Sequence, residues 1–142
     1  MQIKYRNFCR ARHTKNLSVP KNKYFWLAII WTLLITFLCL EPSKDLPKIE
    51  IDNIDKLVHG SVYILFTGFW FLYFKSRNSL KTAIIKAFFL AVGYGIWIEI
   101  AQYLFTTTRK ADVLDALANT FGASIAVILI LIVNKSLKSK NL

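Results

Sequence analysis

Residues 83–105, AIIKAFFLAVGYGIWIEIAQYLF, form an apolar run with Lys86 near its start and Glu99 near its end. A run of roughly 17–25 mostly apolar residues can cross the hydrocarbon of a bilayer as a helix. Lys86 lies close enough to one end to snorkel to the headgroups. Glu99 does not. Counted back from Phe105 it lies about six residues, or roughly 9 Å, below the other end. Insertion scales give about 2.5–3.5 kcal/mol for Asp at a helix centre, so a carboxylate at this depth needs a proton, a partner or a wet cavity. The stretch therefore reads as a membrane span that carries a polar site near one end.

Three further apolar runs flank it: Tyr24 to Leu40, Leu57 to Phe74 and Leu117 to Val133. The fold class is all-α, a polytopic integral membrane protein with four transmembrane helices. The membrane domain covers 24–133, between a basic tail at 1–23 and another at 134–142. With 55% of the 142 residues hydrophobic and four spans to accommodate, no room remains for a second soluble domain.

The charges fix the expected orientation. All eight acids (Glu41, Asp45, Glu50, Asp52, Asp55, Glu99, Asp112, Asp115) fall in the first and third connections or the helix halves beside them. The N-terminal tail, with Lys4, Arg6, Arg10, Arg12, Lys15, Lys21 and Lys23, has no acid. Neither does the second connection (Lys75, Arg77, Lys81) or the C-terminal tail (Lys135, Lys138, Lys140). Short basic segments beside spans are retained in the cytoplasm, so both termini are expected there, in the cytoplasmic membrane. The net charge of +11 thus reflects topology and anionic lipid, and no nucleic acid is expected as a partner.

The first span is read as retained, because its basic lead is long and no small-x-small cleavage site follows Leu40. It opens with the aromatic anchor Tyr24, Phe25 and Trp26, carries no ionisable group and serves packing and topology. Glu41-Pro42 stops it. Trp70, Phe71, Tyr73 and Phe74 anchor the second span at the same interface. The fourth span is expected to end before Asn134-Lys135. Cys9 and Cys39 are placed on opposite faces, so they do not pair, and neither has metal-ligand spacing. His13, in the basic tail, is assigned no role.

Residues three or four apart share a helix face. That puts Asp55, His59 and Tyr63 in line on the second helix, with Trp70 continuing the stripe. Glu99 and Gln102 lie together on the third, and Asp112, Asp115 and Asn119 on the fourth. Ala87, Ala91 and Gly95 lead up to Glu99, and Ala118, Gly122 and Ala126 accompany Asn119. Small residues at this spacing let helices approach closely in lipid and turn the polar members inward. Lys56, His59, Arg109 and Lys110 are candidate partners for Glu99. Together these residues outline a pocket bounded by Asp55, Lys56, His59, Tyr63, Glu99, Gln102, Arg109, Asp112, Asp115 and Asn119. Each also has a plainer role. Asp55 and Asp112 suit helix N-caps or first-turn anions. Tyr63, Gln102, Asp115 and Asn119 suit interhelical hydrogen bonding, and Arg109 suits neutralising Glu99.

The order Asp55-Lys56-x-x-His59-x-x-x-Tyr63, Glu99-x-x-Gln102 and Arg109-x-x-Asp112-x-x-Asp115-x-x-x-Asn119-x-x-Gly122 resembles the VanZ-like membrane protein family, over about Asp55 to Ala126. Gly60 stands where the family usually has an aromatic. Thr106, Thr107 and Thr108 fill a stretch that often holds a Pro, and Ala126 stands where a Gly is common. The family's founding member is associated with low-level resistance to the lipoglycopeptide teicoplanin. The resemblance therefore implies a protein of the bacterial envelope with a possible bearing on glycopeptide susceptibility.

Three functions follow as expectations. The first is non-catalytic binding of an envelope lipid headgroup or precursor, or of a lipoglycopeptide. Arg109, Lys56 and Lys110 would hold phosphate, and the carboxylates and Asn119 would hold sugar or peptide groups. The second is an enzyme acting on such a lipid, with His59 or Glu99 as the candidate acid or base. Asp55, His59, Glu99, Asp112 and Asp115 would then offer ligands to a divalent metal. No HExxH, GxSxG or P-loop supports that reading, and no metal or cofactor is assigned. The third is a buried charge latch in a protein that works through partner contacts. Membrane lipids are expected neighbours, and homo-oligomers are compatible with all three readings.

Overall fold

The computed structural model describes residues 21–41, 54–106 and 112–140. These residues fold into four α-helices: α1 (Lys21–Leu40), α2 (Ile54–Lys75), α3 (Leu80–Phe105) and α4 (Val113–Ser139). Each is long and apolar enough to cross a membrane. Lipid offers the backbone no hydrogen bonds, so an apolar segment must satisfy its own, and the helix does so. Hydroxyls within the spans bond back to their own helix. Thr32 donates to the Ala28 carbonyl at 2.7 Å, Thr67 to Tyr63 at 2.8 Å and Ser124 to Thr120 at 2.9 Å.

The helices overrun the apolar stretches that announce them. α3 begins at Leu80, where Ser79 caps it by accepting from the Thr82 amide at 3.3 Å. α4 does not end before Asn134-Lys135 as expected but continues to Ser139. Asn134 donates its side-chain amide to the Ile130 carbonyl at 2.8 Å and so stays within the helix. Lys138 sits in the last turn, where a cation suits the helix dipole. The edge of the hydrocarbon and the end of a helix are different boundaries. α1 does stop at Leu40, just before Glu41-Pro42, since a residue that precedes proline is pushed out of the helical region.

α2, α3 and α4 pack on one another, while α1 touches α2 and α3 but not α4. The core helices approach on small residues: Ala83, Ala87, Ala91 and Gly95 are buried along α3, and Gly122, Ala123 and Ala126 along α4. The tightest crossing joins α2 to α4. A Cβ added to Gly122 would lie 2.8 Å from the Gly60 carbonyl carbon and 2.9 Å from its Cα. α1 is held by hydrogen bonds: Trp31 Nε1 to the Val62 carbonyl at 3.2 Å, Trp70 Nε1 to Thr32 Oγ1 at 3.2 Å, and Tyr94 Oη to the Thr32 carbonyl at 3.1 Å. Ile30, Leu33, Phe37, Phe89, Phe121 and Ile132 point outward, as a lipid-facing surface requires.

The two ends differ in chemistry. At one, the Phe25 and Tyr73 rings pack at a tilt with centroids 5.3 Å apart, and the Arg77 guanidinium lies 4.3 Å from the Tyr73 ring centre. There Lys86 donates to Asn78 Oδ1 at 3.0 Å. The other end, formed by the end of α1, the start of α2, the end of α3 and the start of α4, gathers the acids.

Candidate functional site

The polar residues of α2, α3 and α4 meet in two layers about one helical turn, roughly 5.4 Å, apart. The deep layer is Tyr63, Gly95 and Asn119. A Cβ on Gly95 would lie 3.2 Å from Asn119 Cβ and 3.3 Å from Tyr63 Cε1, so glycine lets these two side chains meet across α3. Tyr63 and Asn119 are fully buried. One turn nearer the surface come His59, Glu99 and Asp115. His59 Nδ1 lies 3.2 Å from Asn119 Oδ1 and so ties the two layers together. An amide oxygen only accepts, which makes Nδ1 the donor. His59 Nε2 faces Asp115 Oδ2 at 3.9 Å, beyond hydrogen-bond length. Glu99 is 5% exposed, and its Oε2 accepts from the Asp112 backbone N–H at 3.2 Å.

At the rim, Asp112 is the N-cap of α4, and its Oδ1 accepts from the Leu114 amide at 2.8 Å. Lys56 Nζ stands 3.8 Å from Asp55 and 4.0 Å from Asp112. Lys56 thus neutralises the rim, and Glu99 takes its contact from a backbone amide. Gln102 faces α1, where its amide donates to the Cys39 carbonyl at 3.0 Å and closes the end of that helix. Arg109 and Lys110, and with them the expected pairing to Glu99, lie outside the described residues, as does Cys9.

The hydrogen-bond accounting separates this cluster from the rest. Among the described residues, four buried side-chain atoms have no partner: Tyr63 Oη, Glu99 Oε1, Asp115 Oδ1 and Asn119 Nδ2. All four belong to the two layers, one or more from each of three helices. Buried polar groups without partners are rare, and each calls for an explanation. No group of three His, Cys, Asp or Glu side chains among the described residues is spaced to hold a metal ion. The cluster offers free acceptors, one amide donor and an imidazole oriented by Asn119, which suits binding or proton transfer.

A family model described as VanZ/LLP1 matches residues 13–134 and takes in every candidate residue from Asp55 to Asn119. The chain belongs to the VanZ/LLP1 family. Searches of curated proteins and of solved structures found no match. Within this VanZ-type bundle, two contributors to the site were not read as such from the sequence. Gly95 reads in the sequence as one of the small packing residues of α3, and in the fold it also lies between Tyr63 and Asn119. Leu34 and Leu38 of α1 wall a cleft that reaches His59 and Tyr63. Nothing in the polar pattern pointed to α1, because apolar walls look the same as any lipid-facing surface.

Proposed function

We propose that the protein binds the headgroup of a cell-envelope lipid or lipid-linked precursor in the two-layer pocket, which faces away from the cytoplasm. The four unpartnered buried atoms carry this reading: a ligand with matching donors and acceptors would complete them. The orientation is supported by the basic residues at the opposite end, Lys75, Arg77, Lys81, Lys135 and Lys138 among them, which favour the cytoplasmic side. Sequestering a precursor or occupying its headgroup would alter the target seen by a glycopeptide antibiotic, and this is how such a protein would affect susceptibility. A catalytic variant draws on one observation, the His59 ring held between Asn119 and Asp115. An oriented imidazole beside a carboxylate can move a proton once a substrate is bound.

Native mass spectrometry tests the reading on protein gently extracted from its own membranes, with wild type beside Glu99→Gln and Arg109→Gln. A discrete lipid mass on the wild type, lost in variants that keep their helical content, is the expected result. A lipid recovered in altered chemical form would favour the catalytic variant. No bound mass, with variants that only melt earlier, would make the cluster a structural latch and end the proposal.

A further inference from the structure

We propose that the ligand is an amphiphile whose ammonium group fills the two-layer pocket while one of its acyl chains lies in the cleft between α1 and α2. This rests on the headgroup reading above and names its ligand class. The first argument is valence. Glu99 Oε1 and Asp115 Oδ1 are unpartnered acceptors, and Tyr63 Oη can accept as well. A primary ammonium carries three donors and no acceptor, so its donor count matches these three acceptors. Asn119 Nδ2 remains as a donor for an ester oxygen of the same lipid.

Charge agrees with valence. Among the described residues, Asp55, Glu99, Asp112 and Asp115 surround the site, against Lys56 and the His59 imidazole. A bare phosphate at the depth of Glu99 would face two carboxylates; an ammonium there is attracted by both. Lys56 stands at the rim, where the phosphate of a zwitterionic headgroup would come to rest.

The second argument is continuity. A cleft of about 230 Å³ runs between Leu34 and Leu38 of α1 and Val58 and Val62 of α2, and its lining continues into His59 and Tyr63. Leu34, Leu38 and Val58 are open on the bilayer side. Pockets for whole drug-sized ligands run to roughly 300–1,000 Å³, so this cleft suits a length of one chain, not an entire lipid. An apolar trough that opens to lipid and ends against a buried polar cluster has the shape of an amphiphile. A water-soluble ligand would have no use for it.

The test titrates the full-length protein in detergent micelles with dioleoyl phosphatidylethanolamine, dioleoyl phosphatidylglycerol and N-acetylated dioleoyl phosphatidylethanolamine, and reads bound lipid by native mass spectrometry. The free amine lipid should bind at least ~10-fold more tightly than the other two, and Glu99→Gln should abolish its retention. Leu38→Trp, which fills the cleft, should weaken binding ~10-fold, while Leu131→Trp on the lipid face of α4 should leave it unchanged. If Leu38→Trp fails to fold, Leu34→Trp serves in its place. Equal binding of the three lipids with Glu99 still required overturns the ammonium assignment but leaves headgroup binding standing. Undiminished binding by the filled cleft overturns the acyl-chain placement. Retention of no lipid by the wild type overturns the headgroup reading itself.

Discussion

Tyr63 and Tyr94 stand side by side in the bundle, ring centroids 6.4 Å apart, in opposite circumstances. The Tyr94 hydroxyl donates to the Thr32 carbonyl at 3.1 Å and lies 2.6 Å from Thr36 Oγ1. Trp70 Nε1 donates to the hydroxyl of the same threonine, Thr32. On the α1 side, then, polar groups inside the membrane are matched with one another. Tyr63 is buried as deeply as any residue of the core, and its hydroxyl meets nothing. It shares that condition with its neighbours across α3 and α4. A membrane protein folded only to be stable would have matched both tyrosines, since an unpaired polar group in hydrocarbon costs free energy. The difference separates a seam whose polar groups are satisfied by one another from a junction whose polar groups are not, and it supports the proposal that the α2–α3–α4 junction holds a ligand's polar end.

The comparison breaks most completely if the junction itself is forced apart. Gly122→Ala puts a methyl group against the Gly60 backbone, which cannot swing aside as a side chain would. We expect a loss at or above the top of the usual overpacking range of about 1–3 kcal/mol, read from denaturant unfolding in micelles, together with loss of bound lipid. Gly60→Ala is the milder partner. A Cβ there would meet the Ala118 carbonyl oxygen at 3.5 Å, an ordinary contact, so it should unfold within about 1 kcal/mol of wild type.

Glu99→Gln sharpens the contrast by sign. The amide oxygen of glutamine can still accept from the Asp112 backbone, and no unpaired buried carboxylate remains. Stability should hold or rise by about 1 kcal/mol while ligand retention disappears, because leaving a buried charge uncompensated is what costs. A latch behaves in the opposite way: the variant would melt earlier and nothing else would change. Thermal unfolding in the absence of added lipid separates the two.

Most of the junction was legible in the sequence because carboxylates, His and Asn are conspicuous in apolar runs and helical spacing aligns them. Asp55, His59 and Tyr63 on α2, Glu99 on α3 and Asp112, Asp115 and Asn119 on α4 all come to the expected end. The spans themselves were legible for the same reason. What the pattern did not contain is partner choice. The spacing of Gln102 from Glu99 suits either ligand contact or interhelical hydrogen bonding, and only the packed structure shows that its amide donates to the Cys39 carbonyl of α1. The stripe with Asp55 and His59 singles out Tyr63 in the sequence, but only tertiary packing decides that the Tyr94 hydroxyl meets Thr32 and Thr36 while that of Tyr63 has no partner. The overrun of α4 to Ser139 was hidden because hydropathy reports where lipid ends, not where backbone hydrogen bonding stops.

The two tyrosines give a smaller, paired test. Tyr94→Phe removes the bond to the Thr32 carbonyl and should cost about 0.5–1.5 kcal/mol with lipid binding intact. Tyr63→Phe removes a hydroxyl that has no partner in the protein, so the ligand-free protein should be no less stable. Its effect should show only in the affinity for the headgroup. Equal losses of stability from the two substitutions would mean that Tyr63 has a protein partner after all and would weaken the case for the site.

The smallest effect is expected at a cavity that is larger than the α1–α2 cleft but lined almost wholly by apolar groups. A groove of about 360 Å³ runs between α2 and α4 toward the aromatic end, past Gly68, Phe69, Ala126 and Ile130, and it exceeds the α1–α2 cleft in size. Its polar neighbour Asn134 donates to the Ile130 carbonyl, and none of the four unpartnered buried atoms belongs to a residue that lines this groove. A Cβ on Gly68 would meet nothing within 4 Å. Gly68→Ala should therefore change stability by no more than about 0.5 kcal/mol, as surface changes do. Gly68→Leu, which fills the groove, should leave the bound headgroup in place when read by native mass spectrometry. Acyl chains of the bilayer fill such a groove without specificity, because apolar area alone does not discriminate among lipids. Selectivity needs unpaired polar atoms in fixed positions, and among the described residues those are found at the other end of α2.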